Sequence, residues 1–213
     1  MLCLAPEADE RMNPTPSAAD TSGAPRQGPR LPPGQILTDK WPVLHYGPVP
    51  QVDLAAWDFR VFGLVERPQR WTREQFLALP RVQVRSDVHC VTRWSRYDNR
   101  WEGVAFREVL REAGVKPEAR FVIAHAEHGF TANLPLTELL KDDVLLALKH
   151  DGEDLTPEHG WPLRLVVPGR YFWKSAKWIR GLELGEQDRP GFWERNGYHN
   201  QADPWKEERY ADW

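Results

Sequence analysis

No phenylalanine, tryptophan or tyrosine occurs before Trp41, so every aromatic side chain (11 Trp, 5 Tyr, 8 Phe) falls in the later part of the 213-residue chain. Positions 1–35 instead hold 7 of the 19 prolines. Such a stretch buries too little apolar surface to offset the entropy of ordering it. It is therefore expected to be a disordered leader over 1–35, followed by one compact domain over 36–213 with ample core material. No run of 18 apolar residues exists, so no membrane-spanning helix is expected. The leader has neither a basic start followed by an apolar run nor a twin arginine, so no export signal is read and a cytoplasmic location is expected. A net charge of −3 argues against nucleic acid as the main partner.

Within the domain the patterning favours short strands. The segment 57–65 (WDFRVFGLV) is β-branched and aromatic, and reads as a strand. Thr72 and Gln75 form a capping box for a short helix over 72–79, closed by Pro80. Alternation over 81–88 reads as a strand with one wet face. Phe106, Val109, Leu110 and Ala113 share helical spacing, with Gly114 as the stop. A strand over 121–126 and a brief helix over 136–140 follow. Next comes a hairpin, 144–150 and 153–155, turning at Asp151-Gly152 in the type I′ manner. A buried strand over 163–167 and an alternating one over 178–184 complete the set. The class is α+β with a mixed sheet and few short helices.

Two cysteines, Cys3 and Cys90, make no disulfide framework, and Cys3 lies in the leader. Cys90 ends a strand, with Arg93, Arg96 and Arg100 close in sequence; nearby cations favour the thiolate, which is a nucleophile and a soft-metal ligand. A buried structural cysteine is the plain alternative. A hydrolase with Cys90 as nucleophile and His125 or His159 as base is another. The stretch 163–184 gathers Arg164, Arg170, Lys174, Ser175 and Lys177. Gly169, four intervening residues and then Lys174-Ser175 nearly spell a nucleotide-binding loop, but Trp173 stands where the second glycine belongs and a strand pattern follows. A phosphate held by side chains and turn amides fits the stretch; so does a solvated basic loop. His125 and His128 invite a zinc reading with His89 and Cys90. On a strand, however, residues three apart point to opposite faces, and no CxxC or HExxH is present.

Three separated motifs in order, 89–104 (HCVTRWSRYDNRWEGV), 158–178 (EHGWPLRLVVPGRYFWKSAKW) and 189–205 (RPGFWERNGYHNQADPW), resemble the sulfite-oxidase-type molybdopterin oxidoreductases. The resemblance is to the short bacterial members without a haem domain and covers about 36–213. It implies the sulfite-oxidase-type molybdopterin-binding fold and a molybdenum-molybdopterin cofactor with one dithiolene. Cys90 then stands where the family's thiolate binds molybdenum. His159 and Arg164 match the pterin-holding segment, and Ser175, Ala176 and Lys177 match the segment that binds the pterin phosphate. His45 and Tyr46, in LHYGPVP, match an N-terminal loop touching the cofactor, and His125 matches a polar cofactor contact. Arg93, Arg96 and Arg170 are expected to bring positive charge to the catalytic centre, and Tyr171, Trp94 and Trp173 to wall it.

The implied activity is two-electron oxygen-atom transfer on a small oxyanion, sulfoxide or N-oxide. The chain is too short for the dimerisation domain of the true sulfite oxidases and has no CxxCH, so an external electron donor or acceptor protein is expected beside the small-molecule substrate. A cofactor-binding module without turnover of its own stands as the alternative, next to the cysteine hydrolase.

Overall fold

The computed structural model describes residues 29–211. Eleven strands and four short helices follow one another along these residues. They are β1 (Ile36–Leu37), β2 (Asp58–Gly63), β3 (Gln69–Thr72), α1 (Arg73–Leu77), β4 (Val82–His89), β5 (Trp94–Ala105), α2 (Phe106–Ala113), β6 (Phe121–Ala126), β7 (Thr131–Pro135), α3 (Leu136–Leu139), β8 (Leu145–His150), β9 (Glu153–Asp154), β10 (Arg164–Val166), β11 (Ile179–Gly185) and α4 (Phe192–Arg195). They form a six-stranded sheet centred on β5, which pairs with β1, β4 and β8, and a five-stranded sheet in the order β3-β2-β11-β6-β7. β1 with β5 and β2 with β11 run parallel while the other pairs are antiparallel, so both sheets are mixed, as expected for an α+β chain.

Local chemistry accounts for these elements. Thr72 and Gln75 make the full capping box that starts α1. Gly114, at φ +67°, closes α2 and donates its N–H to the Leu110 carbonyl. Asp151 and Gly152 both have positive φ, the signature of the type I′ turn between β8 and β9. One core cluster lies under the five-stranded sheet and α2, around fully buried Phe59, Phe76 and Phe106. Each such side chain contributes about 1.5–3 kcal/mol by leaving water. A smaller cluster around Trp101 and Leu145 lies on the six-stranded sheet.

The leader expected over 1–35 extends into residues that the structure describes. Its first 28 residues, Cys3 among them, lie outside the described residues. Residues 29–35 are held against the domain by polar contacts, which need no aromatic side chain. Arg30 pairs with Asp87 at 2.8 Å and also with Asp98. Trp205 Nε1 donates to the Pro29 carbonyl at 2.8 Å. Gln35, only 8% exposed, donates to the Cys90 carbonyl at 3.1 Å and accepts from Ser95 Oγ at 3.3 Å. Losing these buried bonds costs about 1–2 kcal/mol. Gln35→Ala is therefore expected to lower the unfolding free energy by that amount in a urea titration, with an unchanged slope.

Candidate active-site cleft

Cys90 lies on a tight turn between β4 and β5, closed by Arg93 N–H donating to the Cys90 carbonyl at 3.0 Å and Cys90 N–H to the Trp94 carbonyl at 2.9 Å. The turn is clamped from both chain ends, by Gln35 on the Cys90 carbonyl and by Arg209 Nη1 on the Val91 carbonyl at 2.6 Å. The thiol is 8% exposed, and its Sγ lies 3.1 Å from Thr92 Oγ1. Burial pushes its pKa up; Thr92 and the Arg209 cation pull the other way.

The arginines expected beside this thiol are elsewhere. Arg93, held at φ +73°, is exposed near Gly34. Arg96 bonds Asp151 at 2.6 Å and His150 at 3.0 Å, and Arg100 is exposed. Closeness in sequence misled because β5 starts at Trp94 and carries the later side chains away from the turn. One cation that reaches the thiol electrostatically, Arg209, lies over a hundred residues further along the chain.

A cleft of about 280 Å³ opens beside Cys90. One end is cationic. Arg164 on β10 is fully buried, with Nη1 donating to the His159 carbonyl at 2.8 Å and Nη2 to the Ser175 carbonyl at 3.0 Å. Its Nε has no hydrogen-bond partner and no carboxylate pairs with it among the described residues. Burial lowers its pKa to about 9. Lys177 donates to the Glu158 carbonyl at 2.6 Å; burial first, and then the Arg164 charge, lower its pKa to about 7. Gly160, at φ +112°, lets this loop close: a Cβ there would meet Arg164 Cβ at 3.0 Å and Lys177 Cβ at 3.2 Å. Ser175 is buried, its Oγ accepting from the Val167 N–H at 3.0 Å. The Ala176 and Lys177 amides donate no hydrogen bond among the described residues. Trp41 covers this end, stacked on His159 at 3.8 Å and tilted on His150 at 4.0 Å.

The other end is aromatic, walled by Tyr46, Phe130, Trp173, Phe192, Trp193 and Tyr198. Tyr46, 62% exposed, leans on Phe192 at 4.5 Å, and His45 meets the Trp178 ring at 5.4 Å. Trp173 is oriented from behind. Its indole N–H donates to Glu194 at 2.9 Å, and the same carboxylate oxygen lies 2.7 Å from Lys174 Nζ. Lys174 and Glu194 are both buried, so this lysine of the expected basic cradle faces the interior and not the cleft.

Of the residues singled out from the sequence, the cleft thus brings together Cys90, His45, Tyr46, His159, Arg164, Ser175, Ala176 and Lys177. It does not bring in Arg93, Arg170, Tyr171 or His125. Arg170 is paired with Glu138 at 3.0 Å. Tyr171 is fully buried behind Trp173, stacked at 5.3 Å, and burial raises its phenol pKa. His125 points from β6 to the outer side, 2.9 Å from Glu183 and 5.6 Å from the Phe62 ring. His128 reaches the cleft instead, because the chain turns there through a positive φ of 56°. Trp41, Gln35, Arg209 and the Lys174–Glu194 pair were missed. Only the capacity of a tryptophan to cover a ligand marked the first, and nothing local in the sequence marks the others. Thr92, not a histidine, lies beside the sulfur, so the cysteine hydrolase lacks its base at this position.

The family model for the oxidoreductase molybdopterin binding domain matches residues 46–193. The chain is 52% identical over 186 residues to the uncharacterized oxidoreductase YuiH of Bacillus subtilis, covering 87% of this chain and 94% of that protein. It is 30% identical over 178 residues to a putative protein-methionine-sulfoxide reductase subunit, YedZ1, of Azospira oryzae, covering 82% and 68%. Among solved structures it resembles the sulfane dehydrogenase SoxCD of Paracoccus pantotrophus, with TM-score 0.62 and 28% identity over 68% of this chain and 42% of that one.

Lys174→Met leaves Glu194 charged in a dry interior, and breaking a buried pair in this way costs about 3–5 kcal/mol. Denaturant unfolding is expected to show that loss. The double change Lys174→Met with Glu194→Leu is expected to recover most of it, since no lone charge remains.

Proposed function

The chain belongs to the family of oxidoreductase molybdopterin-binding domains, and from that premise we propose that Cys90 supplies the thiolate for molybdenum and that the substrate is a neutral S-oxide or N-oxide carried on an apolar group. The enzyme is a molybdopterin-dependent oxidoreductase, and its cofactor is molybdenum-molybdopterin. When bound, this group supplies a two-electron redox change coupled to movement of one oxygen atom.

The cationic end of the cleft fits such a cofactor. Arg164 brings a buried positive charge with no carboxylate to meet it, and an anion placed there relieves that cost. Lys177 and the two undonated amides of Ala176 and Lys177 add the donors that a phosphate requires. In this reading Cys90 gives the soft sulfur ligand, Arg164 and His159 hold the pterin, and Lys177 with Ser175 and Ala176 holds its phosphate. His45 and Tyr46 close the outer side.

The single observation behind the substrate is the makeup of the opposite wall. Six aromatic rings face the cleft there, and the three arginines expected to bring it positive charge, Arg93, Arg96 and Arg170, do not line it. A sulfite-like anion would find no guanidinium on that side; a sulfoxide with an apolar body would find rings to pack on. The methionine-sulfoxide reductase named among the relatives points the same way. Reduction of the sulfoxide takes two electrons and two protons and releases the sulfide and water. The electrons come from an external carrier protein. Trp173, fixed by Glu194, excludes water from the reacting end.

Cys90→Ser is expected to leave Tm within about 4 °C of the parent, about 1 kcal/mol for a chain of this size. It is expected to lose both bound molybdenum, read by mass spectrometry, and methionine-sulfoxide reduction with a reduced dye. Full activity in that variant overturns the ligand assignment. Sulfite turnover with no sulfoxide turnover in the parent overturns the substrate.

The phosphate site has its own check. With its pKa lowered to about 7, Lys177 is cationic below that pH and neutral above it. Cofactor-free protein is therefore expected to bind pyrophosphate more tightly at pH 6 than at pH 8.5. Lys177→Ala should weaken binding at the lower pH about ten- to a hundredfold, the worth of one charge-assisted hydrogen bond, and flatten the pH dependence.

A further inference from the structure

A second hollow lies on the other side of the loop that carries His159. It measures about 190 Å³ and is formed where α1 meets the β8–β9 hairpin. Its apolar floor includes Phe76, Leu77, Trp161 and Pro162. Three cations, Arg73, Arg81 and Lys149, line it against one carboxylate, Asp154. That carboxylate is a weak counterion, because it is 77% exposed and stands 3.8 Å from Lys149. Arg73 has no ion pair or hydrogen bond among the described residues.

Two further donors are unused. Trp57, 4% exposed, has an indole N–H with no acceptor, and the Arg81 Nε–H has none either. The rest of the Arg81 guanidinium donates only to the Leu77 carbonyl, at 3.0 Å. Burial lowers the Arg81 pKa, although the charges of Glu102 and Asp154 oppose that. Buried N–H groups without acceptors are uncommon in folded proteins and mark a place where an acceptor belongs. Here they coincide with surplus positive charge and a flat apolar surface.

We propose that this hollow is a second binding site, separate from the cofactor cleft, for a small organic carboxylate: one oxyanion on a compact apolar body. The charge and the unused donors call for the oxyanion. The tryptophan and proline floor calls for the apolar body. The volume sets the size, since it falls below the roughly 300–1,000 Å³ of sites that take drug-sized ligands. None of the lining residues belongs to the cofactor cleft.

Titration calorimetry on the cofactor-loaded protein tests this with three probes. Benzoate carries both features, benzamide keeps the ring without the charge, and inorganic phosphate keeps the charge without the ring. Benzoate is expected to bind at least about tenfold more tightly than either of the others, the loss that follows when a charge-assisted contact is removed. Lys149→Gln and Arg73→Gln should each weaken benzoate several-fold while leaving molybdenum content and sulfoxide turnover at the parent level. Arg81→Gln should abolish binding; because it also frees the Leu77 carbonyl, its fold is checked by Tm, and the two other variants carry the test if it unfolds. Equal binding of benzoate and benzamide overturns the proposal, as does full benzoate affinity in both Lys149→Gln and Arg73→Gln. Tighter binding of phosphate than of benzoate overturns the apolar half. The benzoate, benzamide and phosphate affinities do not depend on which substrate the cofactor cleft takes.

Discussion

Arg164 holds a positive charge in the closed interior with only two carbonyls and three aromatic rings, Trp41, Trp101 and Phe172, to receive it, and much of the surrounding architecture exists to make that arrangement possible. The guanidinium lies 4.3 Å from the Phe172 ring and donates to the carbonyls of His159 and Ser175, two loops that must therefore converge on it. An isolated buried charge is costly, and carbonyl dipoles compensate only part of that cost. The depressed pKa of Arg164, and that of Lys177 beside it, express the remaining strain. A bound anion cancels it. The loop passes between Arg164 and Lys177 on a glycine, where a Cβ would crowd both side chains.

The sulfur end is built on the opposite plan. Cys90 lies in a turn stitched by backbone hydrogen bonds and fastened by residues distant in sequence, Gln35 before it and Arg209 after it. Arg209 also lies over the Tyr171 ring, at 5.0 Å, and Tyr171 in turn backs Trp173. The position of the thiol and the orientation of the aromatic wall are thus mechanically linked through one buried arginine and one buried tyrosine. Tyr171, expected to face the reacting centre, acts here as packing behind the wall.

Elements specified by local chemistry were legible in the sequence. The Thr72/Gln75 box, the α2 stripe ended by Gly114 and the Asp151-Gly152 turn each depend on residues within a few positions, and each stands where the spacing put it. β5 was not legible as a strand. Its run of arginines, Asp98 and Asn99 hides the alternation, because its polar side chains find partners on β4 and β8, as Arg96 does at His150 and Asp151. The cofactor-side residues came from a resemblance and not from periodicity. The errors among the site residues share one cause: neighbours in sequence were taken as neighbours in space. Arg93 and Arg170 flank the expected functional positions but point away, and His128 reaches the cleft where His125 does not because His128 itself takes a left-handed φ.

The two walls of the cleft divide recognition between them. The cationic end, read above as the seat of the cofactor's phosphate, is tight, buried and held by hydrogen bonds. The aromatic end is more open, with Tyr46 mostly exposed and its rings held largely by each other. Ring packing tolerates variation in the shape of an apolar body, whereas a guanidinium fork demands a matching oxyanion. On the proposed reading, a wall of this kind distinguishes substrates by charge more than by outline. Lys174 and Glu194 are consistent with that division: their charges are matched to each other and withdrawn from the cleft. The indole that faces the cleft is hydrogen-bonded to that pair, so orientation is transmitted to the wall without charge.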